Sequence, residues 1–363
     1  MIRILFIASA LNRAGTETFM MNVFRYLPRD TYQVDFLIFT QEQTDYTKEV
    51  EAAGSHVWRL VSRKENPWAY ICQLSAFFRA HASEYHAIHW CGNSLSSMMP
   101  IYWAWRYRIP VRIVHAHNSS AAGLHNRLLH RFFRRFVACI STHHLACSSA
   151  AAKWFFGADP HAMIIRNGVD VNRYSYNAQT RKSVREHLGI SPTTLVLGHI
   201  GRFCPEKNHT FLLDIFAQVL ALQPDALLLL AGKGELEPAV QAKAKQLGIA
   251  SNVRFLGERT DIADLLQSMD AFVLPSTFEG QPFVLIEAQA AGLPCFVSDV
   301  VNRDIAITPN VSFLSLDQEP SVWAQHITAY CRTYQRTDTT DLMEQAGYSV
   351  RKSMQQLTAI YQA

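Results

Sequence analysis

Short apolar runs of strand length alternate with helical patterns along nearly the whole chain, and this alternation leaves few folds open. The first half begins with IRILFIAS, TETFMMNVFRYL and YQVDFLIF, and the second half restarts with TLVLGHIG, HTFLLDIFAQVLAL and ALLLLAG. Strands that alternate with helices of about 10 to 15 residues are typical of β-α-β units, which build parallel sheets. Because 363 residues exceed the usual size of a domain with one core, the two series predict an α/β protein with two Rossmann-like domains.

The boundary between the two series lies in the segment IIRNGVDVNRYSYNAQT, where polar residues replace the apolar rhythm. The Asn167-Gly168 pair in this segment is typical of a turn. We therefore predict a first domain over residues 1–166 and a second domain that begins at Asn167.

The composition is that of a globular chain, with 49% hydrophobic and 18% charged residues. No apolar run reaches the ~18 residues that a membrane-spanning helix needs, and MIRILFIAS enters a strand without the features of a signal peptide. A cytoplasmic protein is therefore expected. The seven cysteines have no C-x-x-C spacing, which argues against a disulfide framework and against a zinc site.

Positive charge is concentrated in the first half of the chain. Residues 1–166 contain 18 Lys and Arg against 10 Asp and Glu, so the remaining residues contain 16 against 20. The first half therefore has a charge of +8 and the second half a charge of −4, which sum to the net charge of +4. A basic first half indicates an anionic partner: a membrane surface, a phosphorylated lipid or a nucleic acid.

Two glutamates lie in the apolar stretch STFEGQPFVLIEAQAAGLPCFVSD. Pro282 suits the first turn of a helix and Gly292 marks its end, so a helix is predicted over residues 283–291, after a buried strand in DAFVLPS. Glu279 then lies in the strand-to-helix loop and Glu287 about a turn inside the helix. At the carboxyl end of a parallel strand, this arrangement suits a sugar nucleotide. The alternative is that both glutamates are solvated surface residues.

The loop GHIGRFCPEKNH follows the first strand of the second series and contains Gly201, Arg202 and Lys207. Its two cations suit a diphosphate leaving group, because arginine forks onto paired oxygens and lysine supplies a compact charge. The alternative is that Lys207 pairs only with Glu206 on the surface. A further loop, AGKGE, is either a plain turn or a segment that approaches a nucleotide.

Two loops of the first half also follow predicted strands. In ASALNRAGTETFM, Gly15 and Thr16 allow the backbone and the amides of the next helix to approach a diphosphate across an interdomain cleft. The G-x-G-x-x-G pattern is missing there, which argues against nicotinamide binding. In RIVHAHNSSAAG, His115 and His117 share one strand face, but no third metal ligand is spaced near them, so a structural or substrate-contacting role is favoured, with His117 the better candidate.

The segment HNRLLHRFFRRFVACI predicts one basic amphipathic helix over residues 125–140. Its apolar side contains Leu128, Phe132 and Phe136. Its cationic side contains Arg127, Arg131, Arg134 and Arg135. One interpretation is that the apolar side packs on the sheet and the arginines are simply solvated. The other, compatible with it, is peripheral contact between the arginines and an anionic membrane.

Taken together, these motifs resemble the retaining GT-B glycosyltransferases of family four, especially the bacterial enzymes of exopolysaccharide and capsule synthesis. The resemblance is most specific at the E-x7-E spacing of Glu279 and Glu287 and at the G-R-x-x-x-x-K loop, and NGVD is similar to the interdomain linker of the family. The resemblance implies two facing Rossmann domains, with the nucleotide diphosphate sugar bound by residues 167–345 and the acceptor by residues 1–166. It also implies that the last helix, within residues 346–363, crosses back to the first domain.

The resemblance further implies a role for each site residue. Arg202 and Lys207 would neutralise the diphosphate, and Glu287 would accept hydrogen bonds from the ribose. Glu279 would contact the sugar near its reacting carbon, and His117 would bind a hydroxyl of the donor sugar. The remaining donor contacts would come from Gly15, Thr16, Gly201, Gly280, Gln281, Pro282 and Phe283.

Such an enzyme stabilises an oxocarbenium-like transition state without a metal ion or other cofactor, and the leaving phosphate takes the acceptor proton. The expected donor is a UDP-linked sugar, and the expected acceptor is a glycan or a lipid-linked glycan. One departure from the family pattern is Ala14, which stands where a glycine commonly precedes Gly15 and predicts a different loop path. The alternatives are a GT-B epimerase of nucleotide sugars and a non-catalytic binding module for sugar nucleotides or polysaccharides.

Overall fold

The computed structural model describes residues 1–12, 15–118 and 123–363. These residues form two compact units, one of Met1–Gly168 with Val350–Ala363 and one of Val169–Ser349. The limits of the units lie close to the domain limits expected from the sequence, and the last helix belongs to the first unit.

In its described residues, unit 1 contains a parallel sheet of seven strands in the order β3-β2-β1-β4-β5-β6-β7. The strands are β1 (Ile2–Ala8), β2 (Tyr32–Ile38), β3 (Val57–Arg59), β4 (Ala87–Gly92), β5 (Val111–Ala116), β6 (His143–Ala146) and β7 (Met163–Ile164). The helices between them are α1 (Gly15–Tyr26), α2 (Thr47–Ala52), α3 (Pro67–His81), α4 (Met99–Arg106), α5 (Leu124–Phe133), α6 (Val137–Ile140) and α7 (Ser149–Phe156), with 3-10 turns at Ala82–Glu84 and Leu95–Ser97.

In its described residues, unit 2 contains a parallel sheet of six strands in the order β10-β9-β8-β11-β12-β13. Its helices begin with α8 (Val171–Tyr174) and α9 (Ala178–His187). The strands are β8 (Val196–Ile200), β9 (Leu227–Ala231), β10 (Val253–Phe255), β11 (Ala271–Leu274), β12 (Cys295–Ser298) and β13 (Val311–Leu314). The further helices are α10 (His209–Leu222), α11 (Glu237–Gln246), α12 (Ile262–Ser268), α13 (Phe283–Ala290), α14 (Pro320–Thr333) and α15 (Thr340–Gln345), with 3-10 turns at Pro205–Lys207, Ala250–Asn252 and Arg303–Ile305.

Both faces of each sheet are covered, which explains why the strands are apolar throughout. In unit 1, one face packs on α3, α4, α6 and α7 through residues such as Leu74, Ile101 and Phe155. The other face packs on α1 and on α16 (Val350–Tyr361), the helix that follows unit 2 in the chain. In unit 2, α10, α11 and α14 share a core with the strands. The prediction of an α/β fold with two Rossmann-like domains is confirmed.

The strand order reverses once in each sheet, between β1 and β4 and between β8 and β11. At such a switch point the loops at the carboxyl ends of neighbouring strands leave in opposite directions and open a crevice for a ligand. The loops after β8 and β11 contain the two motifs of the second half, so unit 2 brings these motifs to its switch point.

The predicted single helix over residues 125–140 is wrong in two respects. The segment forms two helices, α5 and α6, and Arg134 and Arg135 lie between them. The chain changes direction there because Val137 and Ile140 enter the core. In addition, Leu128, Phe132 and Phe136 do not pack on the sheet but are exposed.

The seven cysteines are free thiols. The described part of the chain contains no helix that combines the length and the apolar composition of a membrane span.

Candidate active site

The carboxylate of Glu279 forms the centre of the site at the switch point of unit 2. Lys207 Nζ donates to Glu279 Oε1 at 2.6 Å, and Ser276 Oγ donates to the same oxygen at 2.7 Å. Both members of the ion pair are largely buried. Lys207 therefore pairs with the glutamate of the neighbouring loop and not with Glu206, the surface partner that the sequence left open.

Parallel pairing of β8 with β11 brings these two loops together. Ala271 and Phe272 on β11 lie opposite Leu197 and Gly198 on β8. Beyond the strands, the amide of Thr277 donates to the carbonyl of Glu206 at 2.8 Å and joins the loops directly. The Lys207–Glu279 pair thus joins two loops that strand pairing and this backbone hydrogen bond already hold together.

Arg202 differs from Lys207, although both belong to the same loop. Its side chain is exposed and makes no ion pair or side-chain hydrogen bond with the residues that the structure describes. Its five donors are therefore available to an anion in solution. The structure brings Lys207 and Glu279 together, and Arg202 stays exposed in the loop that contains Lys207.

Gly201 and the AGKGE loop pack with their backbones in direct contact. A Cβ atom on Gly232 would lie 2.1 Å from the carbonyl oxygen of Gly201, and one on Gly234 would lie 2.3 Å from that of Phe203. The Phe203 amide also donates to the carbonyl of Lys233 at 3.0 Å. The glycines of AGKGE are therefore explained by this close approach, which shapes the loop that contains Arg202 and Lys207.

Glu287 lies inside α13 and has a partner that sequence reasoning missed. The hydroxyl of Tyr174 at the end of α8 donates to Glu287 Oε1 at 2.7 Å. Burial raises the pKa of Glu287, while the Tyr174 hydrogen bond and the charge of Arg173 act in the opposite direction. The two glutamates have different partners in this structure: Glu279 binds Lys207, and Glu287 binds Tyr174.

The segment from Gly280 to Phe283 leads into the N-terminus of α13. Gly280 is exposed, Gln281 is half-buried, and Pro282 and Phe283 are buried. Pro282 is the N-cap residue and supplies no side-chain hydrogen bond to the first turn. Backbone N–H groups at such a helix start favour anions, and the donor contacts of this segment stay a prediction.

Gly15 and Thr16 form the first turn of α1 in unit 1, where Gly15 is exposed and Thr16 is half-buried. The next residue, Glu17, is also partly buried, and burial raises the pKa of its carboxyl. Ala14, the departure from the family pattern, lies outside the described residues. The contact of Gly15 and Thr16 with a diphosphate stays a prediction.

His117 follows β5 and presents a neutral imidazole. Its ring is buried against His115, with centroids 4.2 Å apart, and against Phe19, with centroids 5.1 Å apart. Burial lowers the pKa of His117 to about 3. Neither ring nitrogen has a hydrogen-bond partner among the described residues. A neutral ring with one free donor and one free acceptor suits a sugar hydroxyl.

His115 belongs to a buried cluster that the sequence did not reveal. His89 Nε2 lies 3.1 Å from His115 Nδ1, and His89 Nδ1 lies 2.6 Å from the hydroxyl of Tyr361 on α16. The ligand atoms of His89, Cys91 and His115 lie within 4.8 Å of one another, which gives the cluster the composition of a metal site. The sequence spacing shows no third ligand near His115 and His117, but β4 pairs with β5 and places Cys91 opposite His115 in space.

Two family models match the chain. The model described as Glycosyltransferase Family 4 matches residues 13–173, and the one described as Glycosyl transferases group 1 matches residues 194–332. EpsF of Bacillus subtilis (strain 168), a protein provisionally assigned as a glycosyltransferase, is 31% identical over 99% of this chain and 96% of its own length. The chain belongs to glycosyltransferase family 4.

The resemblance to GT-B glycosyltransferases of family four is thereby confirmed, and the glycosyltransferase has the GT-B fold. It is similar to Anabaena Alr3699/HepE in complex with UDP and glucose, with a TM-score of 0.78 and 21% identity over 99% of both chains. It is also 31% identical, over 38% of this chain and 36% of the relative, to the UDP-Gal:alpha-D-GlcNAc-diphosphoundecaprenol alpha-1,3-galactosyltransferase of Escherichia coli. The predicted site residues of the glycosyltransferase all lie within the two matched segments.

Sequence reasoning about this glycosyltransferase missed Tyr174, Ser276 and the His89–Cys91 pair. Tyr174 lies in the polar segment after NGVD, and no local pattern distinguishes it from Tyr176. Ser276 could have been found from the sequence, because a hydroxyl three residues before Glu279 in a tight loop is a candidate partner for that carboxylate.

Proposed function

We propose that the glycosyltransferase moves a sugar from a UDP-linked donor to a glycan or lipid-linked acceptor, with retention of configuration, in the synthesis of a surface polysaccharide. The observation that supports this most directly is the Lys207–Glu279 pair at the carboxyl edge of β8 and β11. Lys207 Nζ and Glu279 Oε1 lie 2.6 Å apart. In this proposal the cation meets the leaving diphosphate and the carboxylate meets the developing positive charge.

Each site residue has a role in this proposal. Lys207 and the exposed Arg202 neutralise the diphosphate as the glycosidic bond breaks. Glu279 loses part of its interaction with Lys207 when phosphate oxygens approach, and its carboxylate then faces the reacting carbon of the sugar. Glu287 accepts hydrogen bonds from the ribose hydroxyls, and the neutral ring of His117 binds a hydroxyl of the donor sugar.

The backbone completes the donor site in this proposal. The N–H groups of Gly280, Gln281 and Phe283 at the start of α13 bind the donor, and those of Gly15 and Thr16 in the first turn of α1 bind the diphosphate. Gly201 keeps the loop after β8 compact, since a Cβ atom there would lie 3.2 Å from His199 Nε2 and 3.3 Å from Lys207 Cε.

The names of two similar proteins support the choice of substrates. The Anabaena structure contains UDP and glucose, and the E. coli relative uses UDP-galactose and an acceptor on diphosphoundecaprenol. A uridine diphosphate donor and a lipid-linked glycan acceptor are the corresponding proposal for this chain.

The test is incubation of the purified protein with a panel of UDP- and GDP-sugars. We expect slow donor hydrolysis with one or a few UDP-sugars, and the first-formed anomer, followed by NMR, should have the configuration of the donor. An inverted product would contradict the retaining mechanism. Formation of an altered nucleotide sugar would indicate an epimerase, and tight binding without turnover would indicate a binding module.

We propose further that transfer needs no metal ion, since Lys207 and Arg202 supply the positive charge that a diphosphate requires. Turnover should then survive EDTA. Loss of turnover in EDTA, with recovery on adding Mg²⁺ or Mn²⁺, would contradict this part of the proposal.

We also propose a peripheral contact between the enzyme and the anionic inner face of the plasma membrane. The exposed side chains of Arg127, Arg131, Arg134 and Arg135 support it, because cytoplasmic leaflets attract basic surfaces. A lipid-linked acceptor would make this location useful.

A further inference from the structure

Unit 2 contains a cavity of about 370 Å³ at the amino ends of β8 and β11. Leu195 in its lining comes directly before β8, and Asp270 comes directly before β11. The Lys207–Glu279 pair follows the carboxyl ends of the same two strands, so the cavity lies at the opposite edge of the sheet. Ligand pockets commonly measure about 300–1,000 Å³, so this cavity has room for a small molecule.

The carboxylate of Asp270 is the only one that lines the cavity among the described residues, and its partners already occupy it. Its Oδ1 accepts a hydrogen bond from Arg181 Nη2 at 2.5 Å, and its Oδ2 accepts one from Arg185 Nη2 at 2.7 Å. The amide of Val196 also donates to Oδ2, at 2.8 Å. Asp270 therefore neutralises part of the charge of two arginines and has no further arginine as a partner.

Two more arginines, Arg332 and Arg336, line the same cavity and form no ion pair with the residues that the structure describes. Arg332 is exposed. The guanidinium of Arg336 lies 4.8 Å from the centre of the Tyr176 ring and donates only to carbonyl groups. These carbonyls belong to the ends of α12 and α13, at Leu266, Gln267, Met269 and Ala291. Burial and the charge of Arg181 lower the pKa of Arg336 to about 9.

The positive charge around the cavity exceeds the negative charge that meets it. A helix C-terminus carries a charge of roughly −0.5, so the contacts with the ends of α12 and α13 offset about one positive charge. Asp270 offsets another. Roughly two of the positive charges remain from Arg181, Arg185, Arg332 and Arg336. Hydrogen bonds to carbonyls explain why these side chains stay in place, but they leave the excess charge without a counterion.

We propose that this cavity binds the phosphate group of a small phosphate monoester. A phosphate monoester carries a charge of about −1.5 to −2 at pH 7, which matches the excess, whereas a carboxylate carries only one negative charge. Guanidinium groups have five N–H donors and fork onto phosphate oxygens. Arg181 uses three of its donors and Arg336 four for the contacts within the described residues, so both keep N–H groups for a ligand.

The remainder of the lining suits a hydroxylated ligand such as a sugar phosphate. Thr193 and Tyr176 contribute hydroxyl groups, and Gln223 contributes an amide. The inference does not rest on the proposed transferase activity, because the cavity shares no lining residue with the proposed donor site.

Isothermal titration calorimetry of the whole protein with inorganic phosphate and with glucose 6-phosphate tests the proposal. Each titration is made with and without saturating UDP, which occupies the proposed donor site. We expect one phosphate site per chain whether or not UDP is present. The melting temperature should rise with ligand concentration, because the ligand binds the folded state.

Two variants place a negative charge on different walls of the cavity. Arg332→Glu and Thr193→Glu both change exposed side chains, so circular dichroism should show an unchanged fold. Each should weaken binding about tenfold or more, because the new carboxylate repels the phosphate. The matched control is Lys245→Glu on α11, which changes the net charge by the same amount as Arg332→Glu but lies outside the cavity lining. It should bind like the wild type.

Tighter binding of glucose 6-phosphate than of phosphate would identify an ester as the ligand, and equal affinities would identify the inorganic ion; both results support a phosphate site. Absence of binding by either compound would overturn the proposal, as would wild-type affinity in both variants. Binding that UDP abolishes would also overturn it, since the ligand would then occupy the donor site. Phosphate binding by a protein that neither binds UDP nor hydrolyses a donor would contradict the proposed activity and leave this inference standing.

Discussion

The ion pair between Lys207 and Glu279 combines stabilisation of the fold with the proposed chemistry. It lies in a largely buried loop pair, where removal of one charge leaves the other without a partner. A diphosphate that binds Lys207 must share it with Glu279, so the same lysine serves both the fold and the proposed chemistry.

Replacement of Lys207 by alanine should therefore lower kcat by a factor of about 10² to 10³, as expected for the loss of one donor to developing charge. The melting temperature should also fall, because Glu279 loses its charged partner and keeps the Ser276 hydrogen bond. Steady-state kinetics and thermal melts measure the two effects. Lys182→Ala is the matched control, since the Lys182–Glu186 pair is exposed. Wild-type turnover in a folded Lys207→Ala variant would rule out the leaving-group role.

Glu287 should govern donor affinity more than the rate of the chemical step, because its proposed contact is the ribose. Burial raises its pKa, so the folded protein holds this proton to higher pH than the unfolded chain does. Ionisation of Glu287 therefore lowers the free energy of unfolding as the pH rises above the pKa that this residue has in the unfolded chain. A role in binding would explain why the protein keeps such a destabilising residue.

The affinity for UDP should fall as the pH decreases through the raised pKa of Glu287, because only the carboxylate accepts two ribose hydrogen bonds. Glu287→Gln should bind UDP more weakly at neutral pH and with a flatter pH dependence. Calorimetry at several pH values measures both. An unchanged affinity in the variant would exclude the ribose contact, and Glu237→Gln on the surface of α11 provides the control.

At the scale of single elements, α16 is attached to the unit 1 sheet through a chain of polar groups. We infer that Tyr361 donates its O–H to His89 Nδ1 and that His89 Nε2–H donates to His115 Nδ1, because this order gives every shared proton an acceptor. Burial lowers the pKa of both histidines and raises that of Tyr361, so all three groups are neutral. This series of hydrogen bonds ends at His115, whose ring contacts the ring of His117.

The variant Tyr361→Phe should lose about 1–3 kcal/mol of stability, because buried His89 Nδ1 is left without a partner. A lower urea midpoint, followed by circular dichroism, would show the loss. Tyr102→Phe removes an exposed hydroxyl and should stay within about 0.5 kcal/mol of the wild type. Equal midpoints for the two variants would contradict a stabilising role of the Tyr361–His89 bond.

At the scale of the whole molecule, the histidines buried in both units make stability depend on pH. Burial lowers the pKa of His89, His115 and His199, that of His117 to about 3 and that of His209 to about 4. In the unfolded chain these groups take up protons near about pH 6.5, so the unfolded state binds more protons below that value. The folded state therefore loses stability as the pH falls from about 6.5 towards 4.

The free energy of unfolding should accordingly decrease between about pH 6.5 and about pH 4, by up to about 1.4 kcal/mol per pH unit for each buried histidine. His209→Phe should make this decrease shallower. The new ring can keep the stacking on Phe203, and no described residue hydrogen-bonds to either nitrogen of His209. Urea titrations at several pH values provide the measurement, with the exposed His161→Phe as control. Parallel pH profiles for the wild type and His209→Phe would contradict a contribution of His209 to the pH dependence of stability.

The sequence by itself determined the two β-α-β series and the places of the two second-half motifs, each directly after a strand. Hydrophobic periodicity and the Pro and Gly residues at helix ends are local properties of the sequence. The strand before Glu279 and the helix from Phe283 therefore follow from the residues that form them. The loop with Arg202 and Lys207 was placed correctly for the same reason, because it directly follows a strand of a parallel sheet.

Only the tertiary structure decided which groups meet and which side of a helix is buried. Pairing of β8 with β11 gave Lys207 the partner Glu279, and the packing of α8 on α13 gave Glu287 the partner Tyr174. A helical period shows that Leu128 and Phe132 share one side of α5, but only the tertiary structure shows that this side is exposed. Contacts between residues far apart in the chain set both outcomes, because the free energy of burial depends on what each surface meets and not on its own sequence.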